Sequence, residues 1–252
     1  MNIFIAGGTS GIGYALASHY LSKGHYVGVC GRDLSKIPEN NNDESLKSFQ
    51  ADVCDLNSIL STLELFLVDN HNLDIFINCA GSYAEDVAGR ISYEEAEAML
   101  QTNILGTVNG FEAARRMMKG QNKGSIAVIA SVSGILNYEN SSLYTKTKRS
   151  VIQVADAYRR ALKPFGISVT TIAPGYVDTE KLRQLNHHDL SKKPFLTDVN
   201  TAVSVITQAI ERKVNFIIFP SKMKWMMKSL SVLPSSFLNL IMFRKAKWMK
   251  ND

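Results

Sequence analysis

Short apolar runs rich in β-forming residues alternate with amphipathic helical stretches along most of this 252-residue chain. Such alternation predicts an α/β domain, because strands that follow one another through crossover helices pair in parallel and are covered by helices on both faces. A β-sandwich or a helical bundle would lack it. We therefore expect a doubly wound parallel seven-stranded sheet, with strands at residues 2–6, 26–30, 46–50, 73–77, 125–130, 167–173 and 215–219.

Three longer helices are predicted from apolar spacing and from the signals at their ends. The first follows the first strand and ends at Gly24, a residue that suits a helix C-terminus. The second opens with the capping box Ser92-x-x-Glu95, and the third covers residues 142–163. The second helix is expected to face the core with a stripe formed by Leu100, Ile104, Val108, Phe111, Arg115 and Met118.

The composition indicates a single globular body. Hydrophobic residues make up 45% and charged residues 20% of the chain, which excludes disordered, collagen-like and disulfide-scaffold proteins. The three cysteines, Cys30, Cys54 and Cys79, fit neither a zinc site nor a redox pair and are expected to be free thiols. There is no targeting peptide and no apolar run of the roughly 18 to 20 residues that would span a bilayer, so we expect a cytoplasmic protein.

A glycine cluster, A-G-G-T-S-G-I-G over residues 6–13, lies between the first strand and the first helix. Glycine lets the backbone approach a pyrophosphate, and the N–H groups and dipole of the following helix favour its negative charge. The same pattern also occurs in tight turns that bind nothing. We interpret it as a dinucleotide site formed by Gly7, Thr9, Ser10, Gly11, Ile12 and Gly13.

The spacing G-x-x-x-G-x-G resembles the glycine motif of the single-domain short-chain dehydrogenase/reductase family, with Ala6 in place of the usual threonine. Three later blocks are also similar to that family, at residues 52–53, 78–81 and 174–179. The resemblance extends over roughly residues 1–180 and implies a Rossmann-like fold. It further implies that the cofactor is bound by Asp52, Val53, Asn78, Ala80, Gly81, Pro174, Gly175, Val177 and Thr179.

The end of the second strand indicates which nicotinamide cofactor is preferred. Gly31 stands where NAD-preferring members of the family carry an acid that accepts a hydrogen bond from the ribose hydroxyl. Arg32 follows at once, and a guanidinium pairs well with phosphate oxygens. We therefore expect NADP(H) to be preferred, with NAD(H) possible if Arg32 is only a solvated residue beside the adenine.

Tyr144 and Lys148 lie four residues apart near the start of the third predicted helix, and hence on one of its faces. A phenol acts as an acid or base near neutral pH only when a neighbouring cation stabilises the phenolate, so Lys148 is expected to lower the pKa of Tyr144. The resemblance implies that Tyr144 and Lys148 also bind the cofactor, Lys148 through the nicotinamide ribose hydroxyls. It implies that Ser131 is the catalytic hydroxyl, with Ser133 as its rival. It also implies that Asn103 anchors a water that connects Lys148 to solvent.

Together these motifs predict an NADPH-dependent oxidoreductase that reduces a small-molecule carbonyl to an alcohol, or runs the reverse reaction, by direct hydride transfer. The main alternative is a catalytically silent cofactor-binding scaffold of the same fold, and an epimerase or dehydratase is disfavoured by the short chain. The resemblance also implies a homodimer or homotetramer built on the long helices near residues 93–119 and 143–163. No metal is expected, because His187 and His188, in a lid-like segment at residues 176–196, lack further ligands.

The basic charge of the chain is concentrated at its C-terminal end. The formal net charge is +5, yet residues 221–252 hold seven basic residues and one acid, which leaves −1 for the first 220 residues. We therefore divide the chain into a catalytic domain at residues 1–220 and a basic apolar extension at residues 221–252. The extension could pack on this domain or on a partner subunit, or lie on an anionic inner membrane surface and favour a lipophilic substrate. Nucleic acid is not expected, since no binding motif accompanies the charge.

Overall fold

The computed structural model describes residues 1–38, 43–68, 72–85, 91–139, 141–234 and 236–241. Within these ranges the chain forms one seven-stranded parallel sheet with helices on both faces, which confirms the predicted α/β, Rossmann-like fold. The strands lie in the order β3-β2-β1-β4-β5-β6-β7. Their bounds are β1 (Asn2–Ala6), β2 (Tyr26–Gly31), β3 (Leu46–Gln50), β4 (Ile75–Asn78), β5 (Gly124–Ile129), β6 (Ile167–Pro174) and β7 (Phe216–Phe219).

The helices connect consecutive strands or follow the last one. A π-helical segment, Gln101–Leu105, joins α3 to α4, and residues 236–241 are also helical. The helix bounds are α1 (Gly11–Ser22), α2 (Leu56–Leu67), α3 (Tyr93–Leu100), α4 (Gly106–Lys119), α5 (Leu143–Leu162), α6 (Glu180–Leu185), α7 (Val199–Glu211) and α8 (Ser221–Ser231).

Strand β1 contributes to two different cores, because successive residues of a strand point to opposite faces of the sheet. Phe4 packs against Phe66 and Phe76 in the core beneath α2, α4 and α5. Ile3 and Ile5 pack in the core beneath α1 and α7. Since both faces of β1 are buried, its sequence is continuously apolar rather than alternating.

The strand order reverses between β1 and β4, which lie side by side at the centre of the sheet. Ala6 at the end of β1 pairs with Cys30 of β2 and with Asn78 of β4, so the three strands end at the same level. In open parallel sheets, ligands bind in the crevice outside the carboxyl ends of the strands at such a reversal. The glycine cluster begins at this point.

The second predicted helix differs from the expected apolar stripe. Helix α3 begins with the capping box at Ser92, as predicted, but the π-helical segment adds a residue to one turn and so rotates α4 relative to α3. As a result Leu100 is 43% exposed, whereas Asn103 is buried. Only Phe111 and Met118 of the expected stripe are fully buried. Of the predicted stripe only Leu100 is exposed, and the prediction failed there because it assumed an uninterrupted α-helix.

After β7 the chain continues into α8, which packs back on the domain. Met223 and Met227 are buried in a third apolar cluster, together with Leu238 and with residues of the loop after β5. The backbone N–H of Glu139, in that loop, donates a hydrogen bond to Asn239 Oδ1 at 2.9 Å. The further basic residues of the extension, at positions 244–250, lie outside the described residues. None of the described helices is long and apolar enough to cross a membrane.

Candidate active site

The glycine turn brings the start of α1 against the end of β1. Gly7 and Gly11 have φ angles of +74° and +55°, which residues with a side chain rarely adopt. A Cβ at Gly13 would lie 2.2 Å from the Gly7 carbonyl oxygen, so only glycine permits this approach. Ser10 is the N-cap of α1, yet its side chain makes no capping hydrogen bond, which leaves first-turn N–H groups available to an anion. Ile12 anchors the turn in the core beneath α1.

Thr9, in the glycine turn, packs directly on Gly31 at the end of β2. A Cβ at Gly31 would lie 2.8 Å from both Thr9 Oγ1 and Thr9 Cγ2. An acidic side chain at position 31 therefore has no room in this arrangement. Arg32, the next residue, is exposed, and its carbonyl oxygen accepts a hydrogen bond from Gln50 Nε2 at 3.2 Å.

The residues after β3 are held against α4. Asp52 Oδ1 accepts a hydrogen bond from the Cys54 N–H at 2.9 Å, which orients the carboxylate. The buried Val53 accepts one from Asn109 Nδ2 at 2.9 Å through its carbonyl oxygen. A Cβ at Gly106 would lie 2.7 Å from Val53 Cγ2, so α4 packs closely here. These contacts keep the Asp52-Val53 pair at the carboxyl edge of the sheet.

The end of β4 lies between the glycine turn and the residues predicted to be catalytic. The buried Asn78 side chain accepts a hydrogen bond from the Ala80 N–H at 3.1 Å, which shapes the turn after the strand. A Cβ at Gly7 would lie 2.6 Å from the Ala80 nitrogen. A Cβ at Gly81 would lie 3.4 Å from Lys148 Nζ and 3.5 Å from Asn103 Oδ1. The 78–81 segment therefore connects the two halves of the site.

Asn103 lies in the π-helical segment and is almost completely buried. Its Nδ2 donates hydrogen bonds to the Ser82 carbonyl oxygen and to Thr147 Oγ1, both at 3.0 Å, and its Oδ1 accepts one from the Ser82 N–H at 2.8 Å. Both amide hydrogens are thus used within the protein. One lone pair of Oδ1 remains for a water.

The hydroxyl of Ser131 is the one in contact with Tyr144. Ser131 follows β5, Tyr144 lies in the first turn of α5, and the Ser131 hydroxyl is close enough to lower the pKa of Tyr144. Ser133 donates to Ser131 Oγ through both its Oγ, at 3.0 Å, and its N–H, at 3.2 Å. With its acceptor sites occupied in this way, Ser131 directs its own proton elsewhere, and Ser133 supports it from behind.

Lys148 lies beside Tyr144; Lys148 is buried and Tyr144 is half-buried. Lys148 Nζ is 5.9 Å from the centre of the Tyr144 ring and donates a hydrogen bond to the Ile129 carbonyl oxygen at 3.1 Å. Burial, reinforced by the charge of Lys181, lowers the pKa of Lys148 to about 8. Burial raises the pKa of Tyr144 to about 12, although the Ser131 hydroxyl opposes this. The expected lowering of the pKa of Tyr144 is therefore absent here, because burial outweighs the neighbouring cation.

Two further tyrosines, which sequence reasoning missed, lie next to Tyr144. The ring of Tyr83 meets that of Tyr144 edge to face, with 5.0 Å between the ring centres. Tyr176, after β6, is also close enough to raise the pKa of Tyr144. The position of Tyr83 shortly after Gly81 was the available signal, since the loop after β4 had already been assigned to the site.

The segment after β6 lies over the glycine turn. Pro174 ends β6, and the Gly175 N–H donates a hydrogen bond to the Phe219 carbonyl oxygen at 2.8 Å. Val177 is buried. Thr179 is the N-cap of α6, and its Cγ2 lies 3.9 Å from where a Cβ of Gly11 would be. The structure thus places the two predicted cofactor-binding segments on opposite sides of one crevice.

Two lysines that sequence reasoning did not single out, Lys36 and Lys181, lie in the same region as Arg32. Lys181 Nζ donates a hydrogen bond to the Gly81 carbonyl oxygen at 3.1 Å and so extends from α6 to the end of β4. Partial burial lowers the pKa of Lys181, and the charges of Lys36 and Arg32 lower it further. No spacing in the sequence signals this group, because its members come from two separate connections, β2–β3 and β6–β7.

Of the cysteines, Cys79 lies within this site, because it belongs to the 78–81 segment and is within electrostatic range of Lys148. The three cysteines are free, and burial raises the pKa of Cys30 and of Cys79 to about 12. His187 and His188 follow α6 with left-handed φ angles of 50° and 64°. Among the residues that the structure describes, no three His, Cys, Asp or Glu side chains form a group that could hold a metal ion.

Fold and site together define a nicotinamide-dependent oxidoreductase, and comparisons with known proteins agree. A family model described as short chain dehydrogenase matches residues 1–190. An uncharacterized oxidoreductase of Staphylococcus aureus (strain MW2) is 29% identical over 216 residues, 84% of this chain and 94% of the relative. The chain therefore belongs to the short chain dehydrogenase family and is an NAD(P)-dependent oxidoreductase.

Solved structures share the fold. ElxO with NADP bound is 26% identical to this chain, with a TM-score of 0.76 over 86% of this chain and 94% of ElxO. The serine dehydrogenase from Escherichia coli is 24% identical, with a TM-score of 0.75 over 88% of this chain and 99% of that enzyme. The similarity to serine dehydrogenase, at 24% identity, shows a shared fold only.

Proposed function

We propose that this enzyme uses NADPH to reduce a small-molecule carbonyl to an alcohol, or runs the reverse oxidation. The observation that carries the proposal is the convergence of Ser131 from β5 with Tyr144 and Lys148 from α5, at the edge of the sheet where the glycine turn also lies. A half-buried proton donor, a hydroxyl and an ammonium group beside a dinucleotide cradle suit this reaction.

The residues of the glycine turn fit a dinucleotide. The close approach of Gly13 to Gly7 leaves no room for a side chain between the turn and α1, so backbone can approach a pyrophosphate there. Thr179 borders the opposite side of the crevice, where its hydroxyl can donate to a carboxamide oxygen while it caps α6. When bound, the nicotinamide supplies the hydride that no side chain can provide.

Tyr144 is the proton donor in the reductive direction. Its hydroxyl donates its proton to the carbonyl oxygen while the carbonyl carbon gains a hydride, so that C=O becomes CH–OH. With a pKa of about 12 the phenol is protonated at neutral pH, and the neighbouring ammonium must favour the phenolate for the proton to be transferred. Ser131 donates a hydrogen bond to the same oxygen as it gains negative charge. Lys148, with a pKa of about 8, still carries its proton at neutral pH and stabilises the phenolate that remains.

Asn103 positions the catalytic helix and the water that returns the proton. Its amide binds Thr147, which lies on α5 between Tyr144 and Lys148, and thereby ties the π-helical segment to that helix. The remaining lone pair of Oδ1 and the ammonium of Lys148 both border Gly81. A water held between them would connect Lys148 to solvent.

The preference for NADP(H) over NAD(H) is assigned to a basic group formed by Arg32, Lys36 and Lys181. Partial burial lowers the pKa of Lys181, and the positive charges of Lys36 and Arg32 lower it further. A ribose phosphate would supply negative charge to this group. Thr9 also excludes an acid from position 31, where it would repel that phosphate. ElxO, a structural relative, is known with NADP bound.

Replacing Tyr144 with phenylalanine tests the reaction. NADPH oxidation is followed with a panel of sugar, steroid, acyl thioester and xenobiotic carbonyls, and Tyr144→Phe is expected to lower kcat at least about 100-fold because the proton donor is lost. Tyr158→Phe is the matched control, since Tyr158 lies on the same helix but packs against Phe111. Near-native turnover by Tyr144→Phe would show that the mechanism is wrong.

The same experiment separates the enzyme from a silent scaffold. The Michaelis constants for NADPH and NADH are measured with the best substrate, and a lower value for NADH would contradict the assignment of the basic group. Tight NADPH binding without turnover of any carbonyl in the panel would instead favour a cofactor-binding scaffold of the same fold.

The side chains around the site favour one class of substrate. Tyr83, Tyr176 and Met223 lie near Tyr144 or the Pro174-Gly175 turn, so an apolar carbonyl compound is the substrate that these surfaces favour.

A homodimer or homotetramer built on α4 and α5 is proposed from the family resemblance. Sedimentation velocity would measure its size, and a monomer at all concentrations would rule it out.

A further inference from the structure

Helix α8 presents two different faces. Met223 and Met227 are 3% and 8% exposed and pack against the loop after β5, which fastens the helix to the domain. On the outward side Trp225 is 68% exposed, and Lys228 Nζ lies 5.4 Å from the centre of its ring. Lys224 is also exposed. An apolar indole and ammonium groups thus share the surface that α8 turns to solvent.

The helical stretch at residues 236–241 lies beside α8 and enlarges this surface. Leu238 is buried in the same cluster as the α8 methionines, so the stretch is fixed to the domain through one side chain. Its neighbours are exposed: Phe237 by 61%, Leu240 by 52% and Ile241 by 42%. Large apolar side chains on two adjoining helical segments are therefore exposed within the part of the chain that the structure describes.

The charge of this surface has one sign. Residues 221–241 include Lys222, Lys224 and Lys228 and no acid. The acid that contacts this part of the chain is Glu139, whose carboxylate accepts a hydrogen bond from Asn239 Nδ2 at 3.4 Å. The first 220 residues carry −1, so positive charge is concentrated on this side of the molecule.

We propose that this surface binds an anionic lipid bilayer. We call it the basic apolar face and define it by Lys224, Trp225, Lys228, Phe237, Leu240 and Ile241. Its lysines pair with lipid phosphates, and its apolar side chains enter the boundary between headgroups and acyl chains, where Trp in particular is favoured. The proposal goes beyond carbonyl reduction and does not depend on it.

A second copy of this chain is a poorer occupant of the basic apolar face. A two-fold contact brings the same residues of both copies together, so Lys224 and Lys228 would meet lysines. The absence of acids from residues 221–241 leaves these charges unpaired within such a contact. An anionic lipid surface supplies the missing negative charge over its whole area.

Binding through this face would bring the substrate side of the active site close to the bilayer. A Cβ at Gly175 would lie 3.3 Å from Met223 Cε, and Tyr176 packs in the same cluster as α8. If the proposed function holds, an apolar carbonyl compound dissolved in the membrane would therefore lie near the site entrance. This consequence, unlike the membrane binding itself, rests on the proposed function.

Sedimentation with vesicles tests the proposal, without added cofactor. The full chain is mixed with vesicles of equal parts phosphatidylglycerol and phosphatidylcholine, or of phosphatidylcholine alone, and is expected to bind only the former strongly. Lys224→Gln with Lys228→Gln should lower binding about 25-fold, from about fivefold for each lysine. Trp225→Ser with Phe237→Ser should abolish binding to both kinds of vesicle. These changes leave the buried methionines in place, whereas deletion of residues 221–252 would remove them from the core.

The matched control changes one exposed apolar and one basic residue elsewhere. Leu65→Ser, on α2, with Lys47→Gln, on β3, should bind vesicles like the unaltered chain. Circular dichroism and NADP+ binding verify that each variant is folded, and if the Trp225 variant does not fold, the lysine variant decides. Absence of vesicle binding, or equal binding by all variants, would overturn the proposal. A dimer that Trp225→Ser with Phe237→Ser converts to monomers, without vesicle binding, would assign the face to subunit contact instead.

Discussion

Replacing Gly31 with aspartate tests how closely the end of β2 is packed against the glycine turn. The Cβ of the new residue would lie 2.8 Å from both Oγ1 and Cγ2 of Thr9 and 3.4 Å from its Cβ. Rotation about χ1 of Thr9 can turn its Cβ hydrogen toward only one of the two contact positions, so one heavy-atom contact remains. The backbone of the glycine turn must therefore move by several tenths of an ångström.

Overpacking of this kind costs about 1–3 kcal/mol. Because the strain falls on the turn that would hold the pyrophosphate, Gly31→Asp should weaken both NADP+ and NAD+, by roughly 5- to 150-fold if the whole cost appears in binding. The variant should not simply become NAD-preferring. Thr9→Ala removes both clashing atoms, so the double variant should regain NAD+ affinity while still binding NADP+ poorly.

A double-mutant cycle measures this coupling. Dissociation constants for both dinucleotides are determined by fluorescence titration for the unaltered chain, Thr9→Ala, Gly31→Asp and the double variant, and urea unfolding is recorded for each. A coupling energy of about 0.5–3 kcal/mol is expected between residues in such contact. Strict additivity, or a stable Gly31→Asp variant that already prefers NAD+, would refute the steric argument.

Three further outcomes follow from the site. The pKa of Lys148 falls from 10.5 to about 8 on folding, so the unfolded chain binds more protons between these values and the free energy of unfolding rises with pH across that window. This rise in the free energy of unfolding is on the order of 3 kcal/mol, and Lys148→Met should remove it. Urea unfolding at the two ends of the pH window measures the difference. Thr147→Val leaves one N–H of Asn103 without its acceptor and should lower the free energy of unfolding by about 1–3 kcal/mol, whereas an unchanged value would show that water replaces the hydroxyl. Lys181→Ala should weaken NADP+ binding about tenfold and NAD+ binding less. Both dissociation constants are measured by fluorescence titration at low and high salt. An equal loss of affinity for both dinucleotides would place Lys181 at the pyrophosphate.

The central strands were predictable because they are buried on both faces. A strand such as β1 needs apolar residues at every position, and the runs at 2–6 and 26–30 match β1 and β2 within one residue. The edge strand β3 also matches its prediction at 46–50, although it is partly exposed. The helix ends were equally local, since Ser92 caps α3 with the Glu95 side chain, as the sequence indicated. These features depend on residues that are neighbours in the chain.

The π-helical segment was not predictable in the same way. Apolar spacing assumes a constant number of residues per turn, and the extra residue in this turn changes which side of α4 faces the sheet. In this orientation two glycines of α4 meet neighbouring elements closely: Gly106 packs on Val53, and Gly110 packs on Phe76. Such contacts involve other strands, so the register of α4 is set by packing and not by its own periodicity.

Some site residues were predictable from the sequence, whereas others were not, because only the fold brings them together. Spacing along the chain and family resemblance indicated Tyr144, Lys148, Ser131 and Asn103 as the reacting group. Tyr83 beside Tyr144, with other parts of the site, became visible only in three dimensions. The pKa of Tyr144 likewise depended on burial, which no motif expresses.

The sequence by itself determined the class of this protein. Continuous apolar strands, helix caps, the glycine turn and the Tyr-x-x-x-Lys pair are local patterns whose chemistry can be inferred residue by residue. The tertiary structure decided what depends on distance in space: the contact between Thr9 and Gly31, the protonation of Tyr144 and Lys148, and the split of α8 into a buried methionine side and an exposed basic apolar face. The physical reason is that sterics, desolvation and burial act between residues far apart in the chain, and only the fold brings them together.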